Sequence, residues 1–289
     1  MRFKASIDIV DNVIKLQRIV ATLAKISHKC VIRFTPTQLH FVLQSDVTDR
    51  AARVWSDITQ TSIFKTYRIQ STHQNNEILV DISLDLLQRA LKTANNADTV
   101  TMRMIRKEET PFLVLDVVLR PQNTRPGQNS RPRLLCQQIP MLILHHSLID
   151  DYQEPVLPRP EVSIYMPSLK LLRNVVERMK TISSHLDIAA NNDKTFWLRV
   201  DSDMLEIRAS FPNLQNPEWR DGLQPEQEAT DPKQFTVARV AIKHFAQFLH
   251  GHQVGASNVI CSIVEDKAVI LFLIDDGVAL TYRLPIIPC

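Results

Sequence analysis

Two segments of the same build, one near the start of each half of the chain, limit the folds open to it. Val13 to Ser27, VIKLQRIVATLAKIS, sets Leu16, Ile19, Val20, Leu23 and Ile26 at helical spacing on one face. Lys15, Arg18, Thr22, Lys25 and Lys29 fall on the other, a polar and basic stripe. Leu169 to Ile182, LKLLRNVVERMKTI, repeats the design, with Leu172, Val175, Val176, Met179 and Ile182 inward and Lys170, Arg173, Glu177 and Lys180 outward. Lys15, Arg18 and Lys25 return as Lys170, Arg173 and Lys180 at a constant spacing of 155 residues. A repeat of that length indicates two similar domains rather than a solenoid of short units.

The stretches between the helices read as strands. Arg2 to Ile9 alternates, with Asp11 or Asn12 as the expected cap of the first helix. Lys29 to Phe34 and Gln38 to Leu43 flank a Thr-Pro-Thr turn, and Arg53 to Thr59 and Glu77 to Ile82 follow. Ser83 is placed to cap a second helix, LDLLQRALKTA, whose Leu84, Leu87, Leu91 and Ala94 face inward and whose Arg89 and Lys92 do not. Thr99 to Ile105, Phe112 to Leu119 and Arg133 to Ile139 complete the first half. The second half reads as strands at Glu161–Met166, His185–Ala190, Phe196–Val200, Leu205–Phe211 and Phe235–Ala238. A helix at Val240–Leu249, carrying Lys243, and three closing strands follow. The second helices match at the same spacing, Leu87 with Ile242, which sets Gln247 where the first half has Lys92. The reading is an α+β chain of two tandem domains, each with two helices on antiparallel sheets. The expected division is residues 1–139, a proline-rich connector at 140–160, and residues 161–289. Polar loops at 121–132 and 212–232 interrupt the pattern.

Composition narrows the function. A hydrophobic content of 44% suits a folded protein, and a net charge of +3 requires any nucleic-acid role to concentrate its charge on one surface. Four dispersed cysteines read as reduced thiols, and Met1 leads directly into a strand, so no secretory leader is expected. Five glycines and no Walker or Rossmann pattern leave no phosphate-cradling loop. His145-His146 with Asp150-Asp151 has no metal-motif spacing and reads as solvated polar residues. His244, His250 and His252 read as surface or DNA-side histidines rather than ligands. No nucleophile motif is present; Trp55 and Trp197 read as core, and Trp219 as a loop anchor or partner contact.

The segments MRFKASI, NNEILVDISLDLLQRALKTANNADTVTM and QEPVLPRPEVSIYMPSLKLLRNVVERMKTISSHL resemble the Hus family of the nine-one-one DNA-damage checkpoint clamp, and the likeness runs from Met1 to about Pro285. The resemblance implies the DNA-clamp, or processivity-factor, fold and a non-catalytic nuclear protein without cofactor or metal. It implies a heterotrimeric ring with Rad-nine-like and Rad-one-like sisters, placed on double-stranded DNA by a clamp loader. At damage or stalled forks that ring recruits checkpoint-kinase activators and repair enzymes. The helices would line the hole and the sheets form the wall. Strand Arg133–Ile139 would meet one sister and Leu205–Phe211 the other. Lys15, Arg18, Lys25, Arg89, Lys92, Lys170, Arg173, Lys180 and Lys243 would then face DNA, neutralising phosphates without reading sequence. For Arg89, Lys92 and Lys243 a solvated charge explains the position equally well. Met141, Leu142, Ile143 and Leu144 would lie at the connector, pinning it to the sheet or lining a partner pocket. The competing readings are a replicative-type homotrimeric clamp and a nucleic-acid enzyme.

Overall fold

The structure is a computed structural model that describes residues 1–43, 52–73, 75–95, 97–119, 133–154, 157, 159–202, 204–217, 231–264 and 267–287. Trp219, most of the two polar loops and several connector positions lie outside the described residues. In chain order the first elements are β1 (Arg2–Ile7), α1 (Val10–Leu23), β2 (Lys29–Phe34), β3 (Gln38–Leu43), β4 (Arg53–Thr59), α2 (Gln60–Ile63), β5 (Thr66–Gln70) and β6 (Ile78–Ser83). Then come α3 (Leu84–Lys92), β7 (Ala97–Lys107), β8 (Thr110–Leu119) and β9 (Arg133–Ile143). The remainder is β10 (Val162–Tyr165), α4 (Leu169–Met179), β11 (His185–Ala190), β12 (Phe196–Asp201), β13 (Glu206–Phe211), β14 (Thr236–Ala241), α5 (Ile242–Phe248), β15 (Asn258–Val264), β16 (Ala268–Asp275) and β17 (Val278–Pro285).

Contacts divide the chain into two compact units, the first formed mainly by residues 1–43 and 56–153 together with the turn Asp276–Val278. In that unit eight strands pair in the order β3-β2-β6-β9-β8-β7-β1-β5, every pairing antiparallel. Helix α1 buries Val13, Leu16, Ile19, Val20 and Leu23 and packs against α3, which buries Leu84, Leu87, Ala90 and Leu91. The Ser83 hydroxyl accepts a hydrogen bond from the Leu86 N–H (3.4 Å), the cap the sequence places there. The start of α1 differs from expectation. Ile9 is its cap, no side chain closes it, and Asp11 lies inside the first turn, where a carboxylate still favours the helix dipole.

The second unit holds two sheets, β10-β15-β16-β17 and β13-β12-β11-β14. Phe245 and Phe248 of α5 are fully buried, and Phe248 meets Tyr282 edge to face with centroids 5.0 Å apart. On the opposite face of the four-stranded sheet Asp187 is buried beneath two arginines. Arg239 Nε donates to its Oδ1 (2.7 Å) and Arg199 Nη2 to its Oδ2 (2.9 Å). Burial alone would raise the Asp187 carboxyl, but the hydrogen bonds from Arg239 and Arg199 outweigh it and hold it below the ordinary range. A depressed folded-state pKa stabilises the fold above the unfolded value, and that stability is lost as pH falls through the folded one. Asp187→Asn should therefore cost about 2–3 kcal/mol at pH 7, somewhat less than the roughly 3–5 kcal/mol of breaking a fully buried pair because both guanidiniums reach solvent. Thermal melts from pH 7 down to acid check this: the variant should lose stability at neutral pH and show a flatter acid limb.

The two units repeat one plan, and the structure corrects its spacing. Val13, Leu16, Val20 and Leu23 correspond to Leu169, Leu172, Val176 and Met179, a spacing of 156, not 155. The helix ends agree: the Ala24 N–H donates to Thr22 and Val20 carbonyls, and the Lys180 N–H to Arg178 and Val176. In the second helices Leu84, Leu87 and Leu91 answer to Ile242, Phe245 and Leu249, so Ile242 does not match Leu87. Gln247 accordingly answers to Arg89, and Asp85 to Lys243.

Candidate nucleic-acid interface

The exposed faces of the helices are set by what the opposite faces bury. Arg18 is exposed on α1, and Lys25 is exposed in the turn just beyond its end. Thr22, expected on the polar stripe, is completely buried. The apolar face is therefore wider than the periodicity alone implies, and the basic stripe narrower. Lys15 is half-buried, and its Nζ donates to the Asp276 carbonyl (2.8 Å), tying it to the turn that precedes β17. On α3, Arg89 and Lys92 are exposed in the last turn, where cations favour the helix dipole. On α4, Lys170 is exposed in the first turn and Arg173 is half-buried, and Lys180 is exposed at the C-cap. Lys243 is exposed on α5. Arg178, which the sequence reading passed over, is a further exposed cation in the last turn of α4.

Two of the nine expected cations come together. Lys180 and Lys243 line one open cleft of about 530 Å³, with Ser183, Ser184 and His185 between them. Neither lysine side chain makes a hydrogen bond or ion pair among the described residues. The matching corner of the first unit is built differently: His28 Nδ1 lies 2.9 Å from Asp85, so a carboxylate stands where the second unit has Lys243. His244, beside Lys243, is held below the ordinary imidazole range, by burial first and by the Lys243 charge as well, so it adds no positive charge at neutral pH. Lys170 is apart from this cleft. It lines another, of about 590 Å³, with Ser168, His252 and Asn258.

The strands expected at subunit contacts each offer an unpaired edge. β9 pairs with β8 from Arg133 to Pro140, while on its other side β6 reaches only Met141 to Ile143. The outer edge of Arg133–Gln138 is open among the described residues. Among the described residues β13 is the end strand of its sheet and pairs only with β12. Open edges of this kind are templates for strand addition.

The connector assignment needs correction. Met141, Leu142 and Ile143 are not connector but the last residues of β9, with Met141 buried and Leu142 60% exposed. Leu144 packs against Val31, Leu79 and Ile149, so it does pin the chain to the sheet. A pocket of about 310 Å³ beside it is lined by Met1, His73, Leu79, His146 and Ile149. The His145 and His146 rings meet tilted at 41°, with centroids 4.0 Å apart, and Asp150 accepts a hydrogen bond from Gln153. No group of three or more His, Cys, Asp or Glu able to hold a metal occurs among the described residues. Cys30 and Cys261 are buried, and burial pushes the Cys261 thiol up to about 12. Trp55 and Trp197 are both buried, as the sequence suggests. No described helix is long and apolar enough to cross a membrane.

The family model described as Hus1-like protein matches residues 1–287. The chain belongs to the Hus1-like family. Its relatives include the human Checkpoint protein HUS1, 32% identical over 288 residues that cover 99% of each chain. The Dictyostelium discoideum Checkpoint protein hus1 homolog is 30% identical and likewise covers 99% of each chain. The Schizosaccharomyces pombe Checkpoint protein hus1 is 29% identical, covering 94% of this chain and 92% of that one. Among solved structures, the Proliferating Cellular Nuclear Antigen of Entamoeba histolytica superposes with a TM-score of 0.72 at 13% identity, covering 99% of each chain. The corresponding protein of Thermococcus kodakaraensis gives 0.69, also at 13% identity, covering 99% of this chain and all of that one. This Hus1-like chain therefore has the sliding-clamp fold. The open edges, exposed cations and paired helices are features of one clamp chain.

Proposed function

We propose that this chain is a non-catalytic subunit of a heterotrimeric checkpoint clamp that encircles double-stranded DNA in the nucleus and recruits repair enzymes at damage. The observation that carries this reading is the open strand edge in each unit, on β9 and on β13. One edge for each of two neighbours is what a ring member needs, and heterologous contacts that close on themselves generate rings. Kinship with checkpoint proteins along the whole chain supports the signalling role.

The chemistry on DNA is electrostatic. Exposed lysines and arginines on α1, α3, α4 and α5 neutralise phosphates and release counterions, an interaction blind to sequence. Separated contacts of this kind leave the ring free to slide, and its closure, not its affinity, keeps it on the duplex. The chain co-expressed with Rad-nine-like and Rad-one-like sisters should purify with both in equal amounts. Once loaded, the complex should stay on closed circular DNA and run off linear DNA. A stable ring of this chain alone in light scattering would replace this reading with the replicative-type homotrimer.

A further inference from the structure

The two open edges differ in chemistry. Across the sheet that ends at β13, Arg239, Asp187, Arg199 and Arg208 form a row, one residue from each strand in register. Asp187 is shared by Arg239 and Arg199, and Arg199 also approaches Glu206 at 3.8 Å. Arg208 stands directly opposite Arg199, a like-charge pair. Its guanidinium lies 4.5 Å from the ring centroid of Trp197 and 5.9 Å from that of Phe235, and no carboxylate pairs with it among the described residues. Among the described residues the row ends at an open edge on a stacked cation with no carboxylate paired to it.

Taking the ring reading above as its basis, we infer that the strand which adds to β13 comes from a different chain and carries a carboxylate on the face of Arg208. The other open edge of this chain does not meet that requirement. Arg133–Ile139 of β9 contains no acid. Its open stretch carries a further cation, Arg133, and it turns Leu134, Cys136 and Gln138 to the face it shares with Asp116. Leu134 is 69% exposed. A second copy laid on β13 would bring a bare leucine and no carboxylate toward Arg208, because Arg133 points to the opposite face of its strand. The edge thus selects by rejection as well as by attraction. The partner of β9, by the same reasoning, offers an apolar side chain over Leu134.

The experiment uses the full chain co-expressed with both sister clamp chains. Arg208→Glu should weaken capture of one sister, the one on β13, by about tenfold or more, because reversal sets like charges against each other. The sister on β9 should be captured as before, which also shows that the variant is folded. Arg208→Lys keeps the charge and should hold both. Capture of both sisters at the unaltered level by R208E overturns the inference. If the unaltered chain captures neither sister, the ring reading itself falls, and the inference with it.

Discussion

Reversing Lys180 and Lys243 together to glutamate should leave ring assembly intact and loosen the ring's hold on DNA. These are the two expected DNA-facing cations that line a common cleft, and neither is engaged elsewhere among the described residues. Each phosphate contact contributes about −0.9 to the slope of log affinity against log salt, so two contacts account for about tenfold of the change between 50 and 200 mM. The variant should show a slope shallower by about 2 and faster loss from closed circular DNA. Asp85→Lys, which copies the second unit's charge into the first, should move the slope the other way. An unchanged slope in a correctly assembled K180E/K243E ring would take this cleft off the path of the DNA.

Phe248→Ala should produce the largest loss of stability. Phe248 is fully buried and meets Tyr282 edge to face, with Phe245 nearby at 6.1 Å. Truncating a buried phenylalanine costs about 3–5 kcal/mol, through lost transfer energy and the cavity left behind. For a unit of this size that lowers the urea midpoint by about 1–3 M. The corresponding residue in the first unit is Ala90, so a small side chain is tolerated there, but in a core packed for it. A shift of less than about 1 kcal/mol would mean that Tyr282 or its neighbours collapse into the space.

Much of the fold is legible in the sequence because alternation and turn residues act locally. Strands Lys29–Phe34, Gln38–Leu43, Arg53–Thr59 and His185–Ala190 have the bounds that their patterns indicate. β5 is not legible, because its residues alternate only between exposed and half-exposed, as at a sheet margin. α2 has four residues, too few to show a period. The repeat was visible but misplaced, by one residue in the first helices and by three in the second. Surface cations answer to no packing partner, so their coincidence does not fix a register, whereas buried side chains do. Pro140 looked like the end of a strand. It stands opposite Phe112 just before β9 passes from β8 to β6, and the strand runs on past it to Ile143. The link between Lys15 and Asp276 spans 261 positions and leaves no trace in local pattern.

The unpaired margins of β9 and β13 also govern what becomes of this chain when it is made in excess. A subunit that displays two bare strand edges and an uncovered Leu134 carries, while alone, the features that chaperones hold and proteases clear. Binding by neighbours covers them and shifts the balance toward the folded form by mass action. On the proposed ring reading, supply of the sister chains would then set the standing level of this one, with its edges as the point of control.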